Sequence, residues 1–186
     1  MTKNNLAIIV LNWNGADDAL ECINSLAQQT LKPAIIIVDN HSHDDSVMRF
    51  EQYQTEHPSV DCIIIANNKN LGFAGGINTG LVYAREQGFK YIGVLNPDAI
   101  ADKNWCRALV DELSSQPKCG IATGILQRRD GKTLDTTGDF YTTWGLPGPR
   151  NRDEPIENAQ SKPGKVFGAT GGGAIYRAAM FDDIDM

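Results

Sequence analysis

The chain has 186 residues, 41% hydrophobic and 22% charged. That is the make-up of an ordinary globular protein with one well-buried domain, or one domain with a partial second lobe. A net charge of -6 argues against nucleic acid as a partner and against broad binding to anionic lipid heads, although not against a local basic patch.

Cys22, Cys62, Cys106 and Cys119 are scattered with no CxxC spacing, which suits reduced, buried thiols in a cytosolic protein better than a disulfide framework. The apolar run at residues 6–11 lacks the length and cleavage site of a signal peptide, and nothing approaches the ~20 apolar residues of a membrane span.

Residues 6–11 (LAIIVL) are continuous and aliphatic, as in a strand buried on both faces. The polar loop Asn12-Trp13-Asn14-Gly15 leads to a helix over about 17–29. Ala19, Leu20, Ile23, Leu26 and Ala27 share one face of it, and Asp17 and Asp18 sit at its favourable amino end. Residues 34–38 (AIIIV) predict a second strand that exits on Asp39-Asn40. A weaker helix on Val47, Phe50 and Tyr53 follows over 44–56, then a third strand over 62–66 (CIIIA).

A long turn over 67–72 leads through Phe73-Ala74-Gly75-Gly76 to a helix reaching about Gln87. Ile77, Leu81 and Ala84 give that helix its stripe, and Gly88 its carboxyl cap. The apolar strand within 90–95 stops on Asn96-Pro97-Asp98. After it come a helix over about 103–115, carrying Cys106, Leu109, Val110 and Leu113, and a strand within 120–126. This alternation predicts an α/β fold, a mostly parallel sheet with helices on both faces. From Gln127 the character changes. Residues 128–162 are rich in Gly, Pro, Asp, Arg and Asn without a period, which reads as a functional or mobile loop. Residues 166–176 (VFGATGGGAIY) return to strand-like sequence, and a helix begins near Arg177.

Four strand exits deliver polar residues to one sheet edge: Asn12 with Asn14, Asp39, residues 67–70, and Asn96 with Asp98. In open α/β sheets the ligand crevice lies beyond the carboxyl ends of the strands, so a polar crevice there is the expected place for a nucleotide. Asp98 is placed to hold a divalent cation against a diphosphate, although Asn-Pro-Asp also ends a strand by plain turn chemistry. Asp39 has two readings of equal weight, an acceptor for a base N–H or ribose hydroxyl, or an Asx turn or helix cap. The glycines of residues 70–80 suit a phosphate at a helix start, and close helix–sheet packing explains Gly76 and Gly80 equally well. They match neither the Rossmann fingerprint nor a Walker loop. His41-Ser42-His43-Asp44-Asp45 reads as a solvated loop with a cap at Asp44 rather than a zinc site, there being no third distant ligand. No GxSxG elbow is present, which disfavours a covalent hydrolase.

Together, IIVLNWNG (8–15), IIIVDNHSHDDS (35–46), NLGFAGGINTG (70–80), VLNPDA (94–99) and GATGGGAIYR (168–177) resemble the family 2 glycosyltransferases, which have the GT-A fold. The GFAGG-x-N and LNPDA forms look most like bacterial rhamnosyltransferase-type members acting in polysaccharide assembly. The resemblance covers nearly the whole chain. It implies residues 1–126 as a nucleotide-sugar-binding part and 127–186 as an incomplete acceptor-side part of the same domain.

By the same resemblance, Asn12 and Asp39 contact the pyrimidine base and nearby ribose, with Asn14 beside them. The stretch from Asn70 to Asn78, Gly75 included, lines the nucleotide pocket. Asn96-Pro97-Asp98 stands where the family has DxD, so Asp98 binds Mg2+ or Mn2+. Gly172, in the Gly171–Gly173 strand, lies beneath donor sugar and acceptor. Asn96 replaces the leading carboxylate of DxD, tolerable because magnesium often takes one or two carboxylates plus phosphates and waters. Ile77 stands where many relatives carry a polar or basic residue.

The implied reaction is inverting transfer from a dTDP- or UDP-sugar to a saccharide or lipid-linked saccharide. A carboxylate base deprotonates the acceptor and the metal steadies the leaving diphosphate. In the family that base is in a Glu-Asp pair well after the GGG-like strand. Asp182, Asp183 and Asp185 come too early, so truncation is expected, with donor binding retained, transfer largely lost and the base beyond Met186. The resemblance also implies work in the cytoplasm at the inner membrane face, and it accommodates a homodimer. A non-catalytic sugar-nucleotide-binding module and a nucleotidyltransferase are the alternatives. The second usually shows a basic glycine-rich loop after the first strand, and Asn12–Gly15 has neither Arg nor Lys.

Overall fold

The computed structural model describes residues 5–159 and 163–184. In chain order, strand β1 (Leu6–Asn12) is followed by helix α1 (Ala16–Ala27), β2 (Ala34–Asp39), α2 (Ser46–Glu56), β3 (Cys62–Ala66), α3 (Gly72–Glu86), β4 (Tyr91–Leu95) and α4 (Trp105–Ser115). Then come β5 (Ile121–Thr123), β6 (Leu126–Gln127), β7 (Leu134–Thr136), β8 (Asp139–Tyr141), β9 (Pro147–Pro149) and β10 (Gly173–Arg177). The six-stranded sheet runs β3-β2-β1-β4-β10-β5. β1 to β4 pair in parallel, whereas β10 lies antiparallel between β4 and β5.

The continuous aliphatic strands follow from burial on both faces. Leu6, Ile8 and Val10 enter one core with Ile35 and Ile37, under α1, α2 and α4. Ala7, Ile9 and Leu11 enter the other with Ile36 and Val38, under α3. Register does the rest. Asn12 pairs with Asp39, and Asp39 with Ala66. On the other side Ile9 pairs with Val94, so three residues further on Asn12 comes level with Pro97. The order reverses between β1 and β4, and this switch point is where a crevice opens in such sheets.

Several expectations are corrected. α3 begins at Gly72, so Phe73-Ala74-Gly75-Gly76 is its first turn rather than an approach to it. Its buried face carries Gly76 and Gly80 with Leu81 and Ala84, and Ile77 is only partly covered. A Cβ on Gly76 would sit 2.4 Å from Leu11 Cδ1 and one on Gly80 2.8 Å from Ile9 Cγ2, so both glycines let the helix lie close on the sheet. Gly88 (φ +73°) ends α3 as expected, with its N–H on the Arg85 carbonyl and that of Phe89 on Ala84, a Schellman arrangement.

The strand expected within 120–126 splits into β5, in the main sheet, and β6, which pairs with β7 instead. Residues 128–159 are not a structureless loop. They form an arm of two small hairpins, β6 with β7 and β8 with β9, held by short-range turns that leave no helical or strand periodicity to read. The helix expected after Arg177 is a 3-10 turn over Ala178–Ile184. Among the described residues no helix is long and apolar enough to cross a membrane.

Candidate functional site

At the carboxyl end of β1 and β4 lies an open cleft of about 730 Å3. Asn12, Trp13, Asn14 and Asp18 line one wall, Asn40, Asn70 and Phe73 another, and Asn96, Pro97 and Asp98 the third. Trp13 and Phe73 are 57% and 55% exposed; large aromatic faces left open at a polar cleft are suited to stacking on a planar ring.

The cleft is built on two amide-centred networks. In the first, Asn12 Nδ2 donates to Asp39 Oδ1 at 2.9 Å and to Ser42 Oγ at 3.2 Å. Ser42 closes on Asp39 from its hydroxyl (2.6 Å) and its backbone N–H (2.9 Å). Asn14, at φ +53°, donates its N–H to Ser42 Oγ and accepts from the His43 N–H. In the second, Asn40 Nδ2 donates to Asn70 Oδ1 and the Gly72 carbonyl, while its Oδ1 accepts from Asn67 Nδ2 and the Leu71 N–H. The polar exits of β2 and β3 are thereby clamped to the start of α3.

Asp39 shares the edge with Asn12 but does not line the cleft. It is 2% exposed and takes three donors from Asn12 and Ser42, so the Asx-type reading describes its bonding. Asn12 Oδ1, by contrast, is buried with no partner; an orphaned buried acceptor is costly, and one at a cleft wall is what a ligand N–H or hydroxyl would satisfy. Gly75 packs toward Leu71, and exposed Asn78 lies outside the cleft lining. Gly172 sits beside Asn96, whose N–H donates to the Gly172 carbonyl at 3.1 Å; a Cβ there would meet Leu126 at 2.9 Å. His41 and His43 face each other edge-on at 5.0 Å and are exposed. Asp44 accepts from the Ser46 N–H and hydroxyl ahead of α2, but the cap position falls on Asp45, whose carbonyl takes the first helical bond from the Arg49 N–H, so the expected cap at Asp44 is shifted by one residue.

Asp98 is exposed on the rim. Burial pushes the Cys22 thiol beneath it up to about 12, and the Asp98 charge adds to that rise. Among the described residues no cluster of three or more His, Cys, Asp or Glu is arranged to hold a metal. The donor set of one carboxylate with amides nearby therefore fits a cation that brings phosphate and water ligands with it, not one caged by protein. Asp182 is bound by Arg85 at 2.5 Å, away at the carboxyl end of α3, and Asp185 lies outside the described residues. Phe73 falls within the stretch expected to line the pocket, whereas Trp13, Asp18 and Asn40 carry no such expectation from the sequence. The aromatic and the acid on either side of Asn14 were the available signals for Trp13 and Asp18.

Solved structures share this architecture. The mannosyltransferase PcManGT from Pyrobaculum calidifontis, in complex with GDP-Man and Mn2+, superposes with a TM-score of 0.68 at 16% identity, over 97% of this chain and 46% of that one. S. aureus TarS 1-349 in complex with UDP-GlcNAc gives 0.60 at 18% identity, over 97% and 47%. At such identities the likeness is one of fold, the GT-A fold, and the chain spans about half the length of these structures. No curated protein matches the chain. The sequence model of glycosyl transferase family 2 matches residues 7–185, nearly the whole chain, and the chain belongs to that family.

Proposed function

We propose that the cleft binds a nucleoside-diphosphate sugar and that the protein transfers the sugar, with inversion, to a saccharide acceptor. The observation that carries this is the convergence of Asn12, Asn40, Asn70, Asn96 and Asp98 on one cleft at the sheet's switch point. Family membership and the nucleotide-sugar complexes of PcManGT and TarS support it.

In this reading the base stacks at Trp13 and satisfies Asn12 Oδ1. The donor diphosphate lies toward Asn96 and Asp98, and the sugar toward Gly172. Asp98 would hold Mg2+ or Mn2+, which when bound supplies charge neutralisation for the departing diphosphate. The donor is dTDP- or UDP-linked, and the transferase resembles the rhamnosyltransferase-type members of the family. The acceptor is a saccharide, free or lipid-linked, in cell-surface polysaccharide assembly at the inner membrane face, and the reading accommodates a homodimer.

A second reading, a sugar-nucleotide-binding module without catalysis, is favoured by one observation. The late carboxylate Asp182 is paired with Arg85 and is no part of the cleft.

The test is thermal unfolding with UDP, dTDP and GDP, with and without Mn2+, alongside a turnover assay with the corresponding sugars. Ligand at a hundred times its Kd stabilises by about 2.7 kcal/mol. Stabilisation by none of the nucleotides sinks the proposal; stabilisation without turnover selects the second reading.

A further inference from the structure

A cleft meant for a diphosphate is lined, among the described residues, by two carboxylates, Asp18 and Asp98, and by no Lys or Arg side chain. One guanidinium reaches its rim from outside. Arg129 sits in the turn between β6 and β7, on the arm. Its Nη2 donates to Asp18 Oδ1 at 3.0 Å and to the Asp98 backbone carbonyl at 3.5 Å, bridging the α1 wall and the β4 exit. Two other arm guanidiniums are engaged within the arm, Arg128 with Asp153 and Arg152 with Asp135.

We propose that Arg129 is a phosphate-responsive latch, parked on Asp18 in the free protein and transferred to the diphosphate of the donor when it binds, so that donor binding repositions the arm over the cleft. This rests on the nucleoside-diphosphate reading of the same site. The exchange is favourable because an ion pair between exposed side chains, 71% and 53% here, is weak and screened. A guanidinium on phosphate forms paired, charge-assisted hydrogen bonds. Asp18 is then a competitor that keeps the arm docked and the site from holding stray anions, and Arg129 is a donor-binding residue carried by the arm.

The experiment is calorimetric titration of uridine, UMP and UDP with Mn2+ into the full chain and its R129Q, R129K and D18N variants. It is joined to hydrogen exchange across residues 127–136 without ligand. The latch predicts that R129Q weakens UDP about tenfold, the size expected for one charge-assisted contact, and leaves uridine unchanged. R129K recovers part of the loss, D18N tightens UDP several-fold, and both R129Q and D18N speed exchange in the ligand-free arm. Equal losses for uridine and UDP in R129Q, unchanged UDP affinity, or weaker UDP binding in D18N each overturn the latch while leaving the nucleotide site standing. No binding of any of the three by the unaltered chain overturns the nucleotide reading itself and the latch with it.

Discussion

The side-chain amide of Asn12 donates to the carboxylate of Asp39 across 2.9 Å, tying the last residue of β1 to the last residue of β2 where the two are already in register. Both are buried, at 0% and 2% exposure, so the bond is made where water cannot substitute for it. Removing one partner should therefore cost the full desolvation of the other. Asn12→Ala is expected to lower stability by about 1–3 kcal/mol and to weaken nucleotide binding. Asn12→Asp, which sets two carboxylates against each other, should cost more. Urea midpoints with nucleotide titrations check both; an unchanged midpoint for Asn12→Ala contradicts the role given to this bond.

The helix–sheet contact behind the cleft is set by Gly76. Alanine gains up to about 1 kcal/mol of helix propensity over glycine in a helix interior. Here its methyl would meet Leu11 Cδ1 at 2.4 Å and Asn40 Cγ at 3.3 Å, and forcing volume into a packed core costs about 1–3 kcal/mol. Overpacking prevails, and because Asn40 is one of the two residues struck, the damage reaches the site. Gly76→Ala should be destabilised by about 1–2 kcal/mol net and bind nucleotide less tightly. The checks are denaturant unfolding and titration; a more stable Gly76→Ala would show that propensity decides this position.

The parallel core was legible because burial on both faces leaves unbroken aliphatic runs such as residues 6–11 and 34–38, which point to strand and to layer at once. The rim was legible as polar strand exits, and Asn12, Asn14, Asn70, Asn96 and Asp98 do line one cleft. Asp39 stood in the sequence with a ligand reading and an Asx-turn reading of equal weight, and only the fold shows its carboxylate accepting from Asn12 and Ser42. The boundary of α3 was missed because glycines Gly72, Gly75 and Gly76 mimic a loop, while the helix they open is set by its close approach to the sheet, at Gly76 against Leu11 and at Gly80 against Ile9. The arm was missed because hairpins of two or three residues per strand are too short to establish alternation.

Asp98 is exposed, so its substitution separates chemistry from folding. Asp98→Asn should leave the unfolding midpoint within the ±0.5 kcal/mol typical of surface changes and abolish most of the Mn2+ dependence of UDP binding. Asn96→Asp supplies the second carboxylate and should raise Mn2+ affinity. Titrations of UDP over a series of Mn2+ concentrations report both, and metal dependence that survives in Asp98→Asn would remove Asp98 from the cation's ligand set.

Three buried thiols are expected to weaken the fold at alkaline pH. Burial pushes Cys22 and Cys106 up to about 12 and Cys62 to about 11, from an ordinary value of 9.0. The folded-state values lie above the unfolded ones, so near neutral pH both states keep the proton and stability is intact. As pH rises past about 9 the unfolded chain releases protons that the folded chain retains, and by linkage stability falls with pH until the folded-state values are reached. Thermal unfolding between pH 8 and 10.5 should show a steady fall in midpoint beginning near pH 9. Cys106→Ala should be less stable at pH 8, through the cavity it leaves, yet show a shallower fall. A slope identical in Cys106→Ala and the unaltered chain would assign the alkaline loss to other groups, with the tyrosines Tyr53 and Tyr176, also raised by burial, the next to substitute.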